Sequence, residues 1–259
     1  MQLEGAVNVR DLGGLRTADG RQVKLGRVFR GDALSRLTPA DLTTLSSIGL
    51  RTVVDFRLPG EVLVNGEDRR PGGTILVSLP IPGADVGTFY DLIASGDHDR
   101  QQAELGQGRA TEFMLARHRG FVGDQKQRDG FGIALRMMAD TARGLPLLYH
   151  CSSGRDRTGW MTAIVLTALG VPHAAVIEDY LLSNHVYQAR YFKLGNDLAQ
   201  TGMMREPGLL RPILELNAGY LEAAFDEVGQ RYGTFVKYLN DGLGMNAQSL
   251  HALRAALLS

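Results

Sequence analysis

The residues with the clearest chemical potential are Cys151, the only cysteine of the chain, and Arg157, six positions later. A cysteine thiolate is a strong nucleophile that needs no metal. The planar guanidinium of arginine fits two oxygens of a phosphate group. The pair therefore suggests attack on phosphorus. The chain has 24 arginines, so this spacing alone arises by chance about one time in ten, and its context must decide.

The context of Cys151 is an apolar segment, a loop of small residues and a second apolar segment. Residues 145–150 predict a short buried strand, and residues 159–169 predict a buried helix. Between a strand and a helix, the N–H groups of the loop and of the first helical turn converge on one point, where an anion binds. The predicted phosphate-binding residues are Ser152, Ser153, Gly154, Arg155 and Arg157.

The residues flanking Cys151 favour its thiolate. A free thiol has a pKa near about 8.5, whereas N–H dipoles and a guanidinium bring such cysteines to roughly 3.5–7.5. Thr158 is placed to hydrogen-bond the sulfur and to help the thiolate leave a phosphocysteine. His150 is expected to fix the geometry of the loop, and as an imidazolium it would lower the thiol pKa further.

A departing alkoxide or phenoxide needs a proton, and a general acid typically contributes ~10²–10⁴ in rate. Asp156 is the preferred acid because it lies inside the loop, although it could instead cap the following helix. Asp55, Asp124 and Asp129 stay open as alternatives.

Asp55 and Arg57 follow a predicted strand and are expected to form a structural ion pair beside the loop, direct contact with substrate being the alternative. The six histidines show no metal-ligand spacing. The sequence therefore predicts neither a metal nor another cofactor.

The surrounding pattern predicts an α/β domain with a central, mostly parallel sheet of about four to five strands, flanked by helices, and a helical C-terminal part. Thr38 and Pro39 mark the start of a helix, residues 52–56 and 75–79 are apolar strands, and a helical pattern runs from Phe131 to Ala142. Asp19 and Gly20 are typical of a hairpin turn. We expect one domain over residues 1–259, with residues 83–128 as a lid or surface insertion.

Composition excludes several classes of protein. The 28 basic and 28 acidic residues balance, which argues against a nucleic-acid binder. One cysteine allows no internal disulfide. The first twenty residues lack the apolar core of a signal peptide, and the longest apolar run, residues 161–171, is too short to cross a bilayer. These features predict a cytoplasmic protein without membrane insertion.

The loop resembles the signature of cysteine phosphatases, in particular the form His-Cys-x-x-Gly-Lys-Asp-Arg-Thr-Gly of a bacterial tyrosine-phosphatase-like family of dual- or triple-specificity type. Further segments resemble motifs of that family: residues 8–14 (Asn-Val-Arg-Asp-Leu-Gly-Gly), 26–30, 50–57 with Glu61, 179–184 and 232–234. The resemblance implies the cysteine-phosphatase fold, Cys151 as nucleophile, Arg157 on the phosphate and Asp156 as acid. Arg155 stands where the family has lysine, and it keeps the charge but not the geometry.

The resemblance implies a phosphorylated protein as substrate, with Phe89, Tyr90 or Tyr187 as the aromatic wall of a phosphotyrosine pocket. A small phosphomonoester, such as an inositol phosphate, a sugar phosphate or a nucleotide-derived intermediate, is the alternative. Arsenate reduction would need more cysteines, and a sulfurtransferase would not need the aspartate, arginine and threonine in this order. A phosphate-binding pseudophosphatase is the non-enzyme alternative, but the reactive residues are all present.

Overall fold

A computed structural model describes residues 1–82, 86–140 and 144–259, without the side chains of residues 86–88 and 90. Five strands lie in this described part of the chain. They are β1 (Arg10–Asp11), β2 (Val28–Gly31), β3 (Thr52–Asp55), β4 (Ile75–Ser78) and β5 (Leu147–His150).

The strands form one sheet in the order β1-β2-β5-β3-β4. All neighbours are parallel except β1 and β2. The register aligns His150 at the end of β5 with Gly31 on one side and Asp55 on the other. Because parallel strands bring their carboxyl ends to one edge, Cys151 emerges where ligands bind in open α/β sheets. The predicted α/β class and strand number are confirmed.

Helices cover the sheet and build most of the C-terminal half, as predicted. The α-helices are α1 (Pro39–Ser47), α2 (Pro59–Asn65), α3 (Val86–Ala94), α4 (His98–Leu105), α5 (Arg109–Gly123), α6 (Gln125–Ala139), α7 (Asp156–Leu169), α8 (His173–Gln200), α9 (Arg211–Leu214), α10 (Ala218–Tyr232), α11 (Phe235–Lys237) and α12 (Ala247–Leu257). Thr38 caps α1 as expected, accepting a hydrogen bond from the Asp41 N–H.

Helix α7 runs through the core directly after the Cys151 loop. Trp160, Met161 and Ile164 are fully buried, and only one of its fourteen residues is not buried. A helix that is buried on all sides has little freedom to shift, because its neighbours are close-packed. Its N-terminus therefore holds the loop in a fixed place at the edge of the sheet.

One local prediction is confirmed and one needs correction. Asp19 and Gly20 form the predicted hairpin turn, since the Thr17 N–H donates to the Arg21 carbonyl at 2.9 Å and β1 pairs with the following strand β2. The helix predicted from Phe131 already starts at Gln125, because Asp124 caps it, and it ends at Ala139. Ala142 lies outside the described residues.

The segment 83–128 contains the helices α3, α4 and α5 and the start of α6. Its second half is core rather than a surface insertion, since Met114, His118, Phe121 and Val122 on α5 are buried. A lid made of the first half stays a prediction. Within the described residues, no helix has both the length and the apolar character that crossing a bilayer requires.

Candidate active site

The loop from Cys151 to Arg157 is held from outside through its carbonyl groups. The Asn8 side chain donates to the Ser153 and Gly154 carbonyls, both at 3.0 Å, and Arg30 donates to the Gly154 carbonyl at 2.7 Å. Gly154 has φ +65°, and a Cβ there would lie 2.5 Å from the Gly31 carbonyl oxygen. This position therefore requires glycine. With these carbonyls bound outside, the loop is arranged to turn N–H groups to its concave side.

Motif residues outside the loop form the second layer of this support. Asp179 on α8 accepts from Arg10 Nε at 3.0 Å and from Arg30 Nη1 at 2.7 Å. Ser183, one turn later, accepts from the Asn8 amide at 3.2 Å. The segments 8–14, 26–30 and 179–184 are thus brought together to brace one loop.

The Cys151 thiol is buried, with 2% of the residue exposed. Burial opposes its ionisation, but the charge of Arg157 and the hydrogen bonds from the hydroxyl and N–H of Thr158 outweigh it, so the pKa of Cys151 lies below its usual value. The sequence-predicted neighbours Arg157 and Thr158 therefore act on the sulfur as expected of an activated thiol.

Arg157 is bound by a carboxylate that received no role from the sequence. Its two terminal nitrogens donate to the two oxygens of Glu61 at 2.6 Å each, and Nη1 also donates to the Phe56 carbonyl at 3.0 Å. Ser152 Oγ donates to Glu61 Oε1 at 2.5 Å. Burial raises the pKa of Glu61, but the Arg157 bonds dominate and bring it to about 2. The Glu61 carboxylate thus presents to Arg157 the two-oxygen geometry that a phosphate offers.

Asp156 lies at the first turn of α7, with its side chain 9% exposed. Arg117 and Arg155 each approach its Oδ2 to 3.8 Å, and its Oδ1 has no hydrogen-bond partner in the part of the chain that the structure describes. Burial raises its pKa, but the charges of Arg117 and Arg155 outweigh burial and leave the pKa below its usual value. In the free protein Asp156 is therefore a carboxylate.

His118 also faces Asp156, with Nε2 3.7 Å from Oδ1. Burial lowers the pKa of His118 to about 4, so the ring is neutral at physiological pH. Its Nδ1 lies 2.9 Å from the Met114 carbonyl, which can only accept, so Nδ1 carries the proton. Nε2 then accepts from the Tyr180 hydroxyl at 3.1 Å.

Arg155, which the sequence predicts to bind phosphate, is buried and hydrogen-bonded within the protein. Its guanidinium donates to the Ile213 carbonyl at 2.8 Å and also to the Leu214 carbonyl and the Tyr191 hydroxyl. It lies 5.3 Å from the centre of the Tyr191 ring. Its terminal nitrogens are thus occupied by α8 and α9, and a role on phosphate stays a prediction.

Below the loop, four buried charged groups form a network. His150 Nε2 lies 2.8 Å from Asp68, and Arg57 pairs with Asp68 at 2.9 Å and with Asp55 at 2.8 Å. The predicted Asp55–Arg57 ion pair is confirmed, whereas Asp68 had no signal in the sequence. Burial lowers the pKa of His150, but the hydrogen bond and charge of Asp68 outweigh it and raise the pKa above its usual value.

The only group of possible metal ligands found among the described residues is the set Asp55, Asp68 and His150. The Arg57 guanidinium already binds both carboxylates. A cation at this position would have to displace Arg57, so these residues fit an ion pair better than a metal.

Replacing Asp68 by asparagine is expected to lower the free energy of unfolding by about 3 kcal/mol, the scale for breaking a buried ion pair. The Asp68 pKa is lowered in the fold, since the bonds from His150 and the charge of Arg57 outweigh burial. Its stabilisation is present above its ordinary pKa and is lost as pH falls through the folded value. The contribution of His150, whose pKa is raised, is present below its ordinary pKa and is lost as pH rises through the folded value.

Urea unfolding near pH 6 measures the difference in the free energy of unfolding between Asp68→Asn and the wild type. The control is a substitution of the exposed neighbour Glu67. Glu67→Gln should stay within about 0.5 kcal/mol of the wild type. An Asp68→Asn variant as stable as Glu67→Gln would show that the network contributes no net stability.

Of the other sequence candidates, the two aspartates lie away from the loop, whereas Tyr187 contacts it. Asp124 caps α6 and Asp129 is exposed on the same helix. Tyr187 is buried, donates to the Ser153 carbonyl at 2.8 Å and stacks on Tyr191. Phe89 packs edge-on against Phe113, and the side chain of Tyr90 lies outside the described residues.

The profile of the tyrosine phosphatase family matches residues 1–259. The chain belongs to this family. The triple specificity protein phosphatase PtpB of Mycobacterium tuberculosis is 32% identical over 280 residues, which cover 99% of this chain and 98% of PtpB. A Cupriavidus necator protein, named as a candidate tyrosine-protein phosphatase, is 31% identical over 94% of this chain and 84% of its own length. A tyrosine-protein phosphatase of Nostoc commune is 30% identical over 86% of this chain and 71% of its own length.

Membership of the tyrosine phosphatase family confirms the resemblance seen in the sequence. The chain is a cysteine-dependent phosphatase of the protein-tyrosine or dual-specificity type, and Cys151 is its one cysteine. The match over the full chain includes residues 83–128, the part in which the sequence motifs were weakest.

Proposed function

We propose that this tyrosine phosphatase family member hydrolyses phosphomonoesters in two steps through a phosphocysteine on Cys151. The observation that carries the proposal is the buried thiol between Arg157 and Thr158, at the point where β5 meets the N-terminus of α7. Backbone N–H groups and the helix dipole there favour an anion.

In the first step the Cys151 thiolate attacks phosphorus. The S–P bond forms, the bond from phosphorus to the ester oxygen breaks, and that oxygen leaves with a proton from a general acid. Arg157 and the loop N–H groups stabilise the equatorial oxygens as charge shifts. Both terminal nitrogens of Arg157 donate to Glu61 in the free protein. For Arg157 to bind phosphate in the same way, the phosphate must displace the Glu61 carboxylate or share these donors with it.

In the second step water attacks the phosphocysteine. The new O–P bond forms, the S–P bond breaks, and the water gives its proton to the base left by the first step. The thiolate is a good leaving group because its pKa is lowered, and Thr158 stabilises it by hydrogen bonds. Inorganic phosphate then leaves and the enzyme returns to its starting state.

Asp156 is the proposed acid of the first step and base of the second. In the free protein Asp156 is ionised, which is the state that a general base needs. A general acid needs the protonated carboxyl group. Binding of a phosphate dianion next to it adds negative charge, and like charge raises the pKa of a carboxyl group. We therefore propose that Asp156 takes up its proton as the substrate binds.

Replacing Asp156 by asparagine is expected to slow the hydrolysis of esters with poor leaving groups by ~10²–10⁴, the range of general acid catalysis. A nitrophenolate leaves without a proton, so p-nitrophenyl phosphate should be slowed far less. The measurement is kcat for an alkyl phosphate, a phenyl phosphate and p-nitrophenyl phosphate in wild type and variant. Equal slowing of all three would remove Asp156 as the acid.

For the substrate, we propose phosphotyrosine in proteins, in keeping with the names of the relatives. Tyr187 is buried against the Ser153 carbonyl, so the half-buried Tyr191 that stacks on it is the proposed aromatic contact of a phosphotyrosine side chain. A cytoplasmic location, predicted from the sequence, remains part of this proposal.

A substrate panel tests the assignment: phosphotyrosine, phosphoserine and phosphothreonine peptides, phosphoinositides and small phosphometabolites. We expect the largest kcat/KM for phosphotyrosine peptides. If kcat/KM for a small phosphometabolite exceeds that for the phosphotyrosine peptides by tenfold or more, the small molecule is the substrate instead.

A further inference from the structure

Arg117 is a buried cation beside the candidate active site that the sequence did not single out. It lies on α5, and its side chain is only 8% exposed. Its Nε atom is buried and has no hydrogen-bond partner among the described residues. Its Nη2 faces the Asp156 carboxylate at 3.8 Å, which is beyond hydrogen-bond distance. A buried guanidinium without hydrogen bonds is costly unless an anion receives it.

The Nε atoms of Arg155 and Arg157 are also buried without a partner among the described residues, so Arg117 differs from these two loop arginines in its terminal nitrogens. Both terminal nitrogens of Arg157 are bound to Glu61, and those of Arg155 are bound to Tyr191 and to backbone carbonyls. Among the described residues, Arg117 is thus the guanidinium of this cluster whose terminal nitrogens make no hydrogen bond.

The charges of the cluster balance before substrate binds. Arg157 pairs with Glu61, and one of the two arginines near Asp156 balances that carboxylate. The other arginine balances the Cys151 thiolate, so an incoming phosphate meets no excess of negative charge. The charges of Asp156, Arg157 and Cys151 all act on the pKa of Arg117, so Arg117 shares the electrostatic environment of the nucleophile.

We propose that Arg117 is a second guanidinium for the phosphoryl group that is transferred, contacting its oxygens together with Arg157 when substrate binds. The inference rests on the proposed phosphatase reaction, and it adds a catalytic residue from α5, outside the signature loop. A transferring phosphoryl group spreads charge over three equatorial oxygens. Two guanidiniums approaching from different elements can neutralise more of that charge than one.

The test compares Arg117→Met and Arg117→Lys with Arg119→Met. Arg119 is exposed two residues further along the same helix, so its replacement makes the same change of charge away from the cluster. Three quantities are measured for each variant: kcat and KM with p-nitrophenyl phosphate, the affinity for inorganic phosphate by calorimetry, and the pH dependence of Cys151 alkylation by iodoacetamide.

For Arg117→Met we expect kcat to fall ~10²-fold, the scale for losing one donor to a developing oxyanion, and phosphate to bind at least tenfold more weakly. Alkylation should need a higher pH, because a positive charge near the thiolate is gone. Arg117→Lys keeps the charge without the fork and should lose about tenfold in kcat. Arg119→Met should match the wild type.

A folded Arg117→Met protein with wild-type kcat and phosphate affinity would overturn the inference and leave the phosphatase reaction intact. If Arg117→Met does not fold, Arg117→Lys decides, and wild-type values for it would overturn the inference equally. If the wild type hydrolyses no phosphomonoester, the proposed function fails. The calorimetric comparison with inorganic phosphate then still tests whether Arg117 binds the anion.

Discussion

Replacing Cys151 by serine is expected to abolish phosphomonoester hydrolysis, with kcat falling by about 10⁶, the scale seen when an enzyme loses its nucleophile. A serine hydroxyl has a far higher pKa than a thiol, and Arg157 and Thr158 cannot ionise it near neutral pH. No second cysteine exists to replace Cys151. The measurement is turnover of p-nitrophenyl phosphate and of a phosphotyrosine peptide.

The control for Cys151→Ser is binding of inorganic phosphate by calorimetry. The loop, Arg157 and the support from Asn8 and Arg30 do not depend on the sulfur, so phosphate affinity should stay within about tenfold of the wild type. Loss of turnover with retained binding assigns the effect to the nucleophile. Turnover that survives the substitution, or that depends on an added metal, would contradict the phosphocysteine mechanism.

The second large effect is expected for Arg157→Lys, with kcat falling by about 10²–10³, the cost of removing a donor to a developing oxyanion. Lysine keeps the charge but cannot bind two oxygens with a planar fork. The bidentate contact that Arg157 makes with Glu61 shows the geometry that would be lost. The measurements are kcat, KM and the affinity for inorganic phosphate.

A matched control for Arg157→Lys is Arg16→Lys, because Arg16 is exposed and pairs with Gln22 in an isolated bridge of the N-terminal hairpin. It should leave all three quantities unchanged. An Arg157→Lys enzyme that retains wild-type kcat would show that charge alone suffices at this position. The planar fork of Arg157 would then have no part in catalysis.

The sequence predicted the elements that depend on neighbouring residues. The strand before Cys151 and the buried helix after it follow from short apolar runs, and the start of α1 follows from its cap at Thr38. The α/β class follows because strands and helices alternate along the chain. The hairpin turn at Asp19 and Gly20 follows from its turn chemistry, whereas the parallel pairing of β2 with the distant β5 does not.

The order Cys151, Asp156, Arg157 and Thr158 was by itself enough to point to cysteine-dependent phosphate chemistry, because a strand, a tight loop and a helix form from one continuous segment. The tertiary structure decided which distant charges meet this loop. These charges come from three separate segments of the chain: Glu61 binds Arg157, Asp68 binds His150, and Arg117 lies beside Asp156. Side-chain charges act over a few ångströms in space, and no periodicity or spacing along the chain records that proximity.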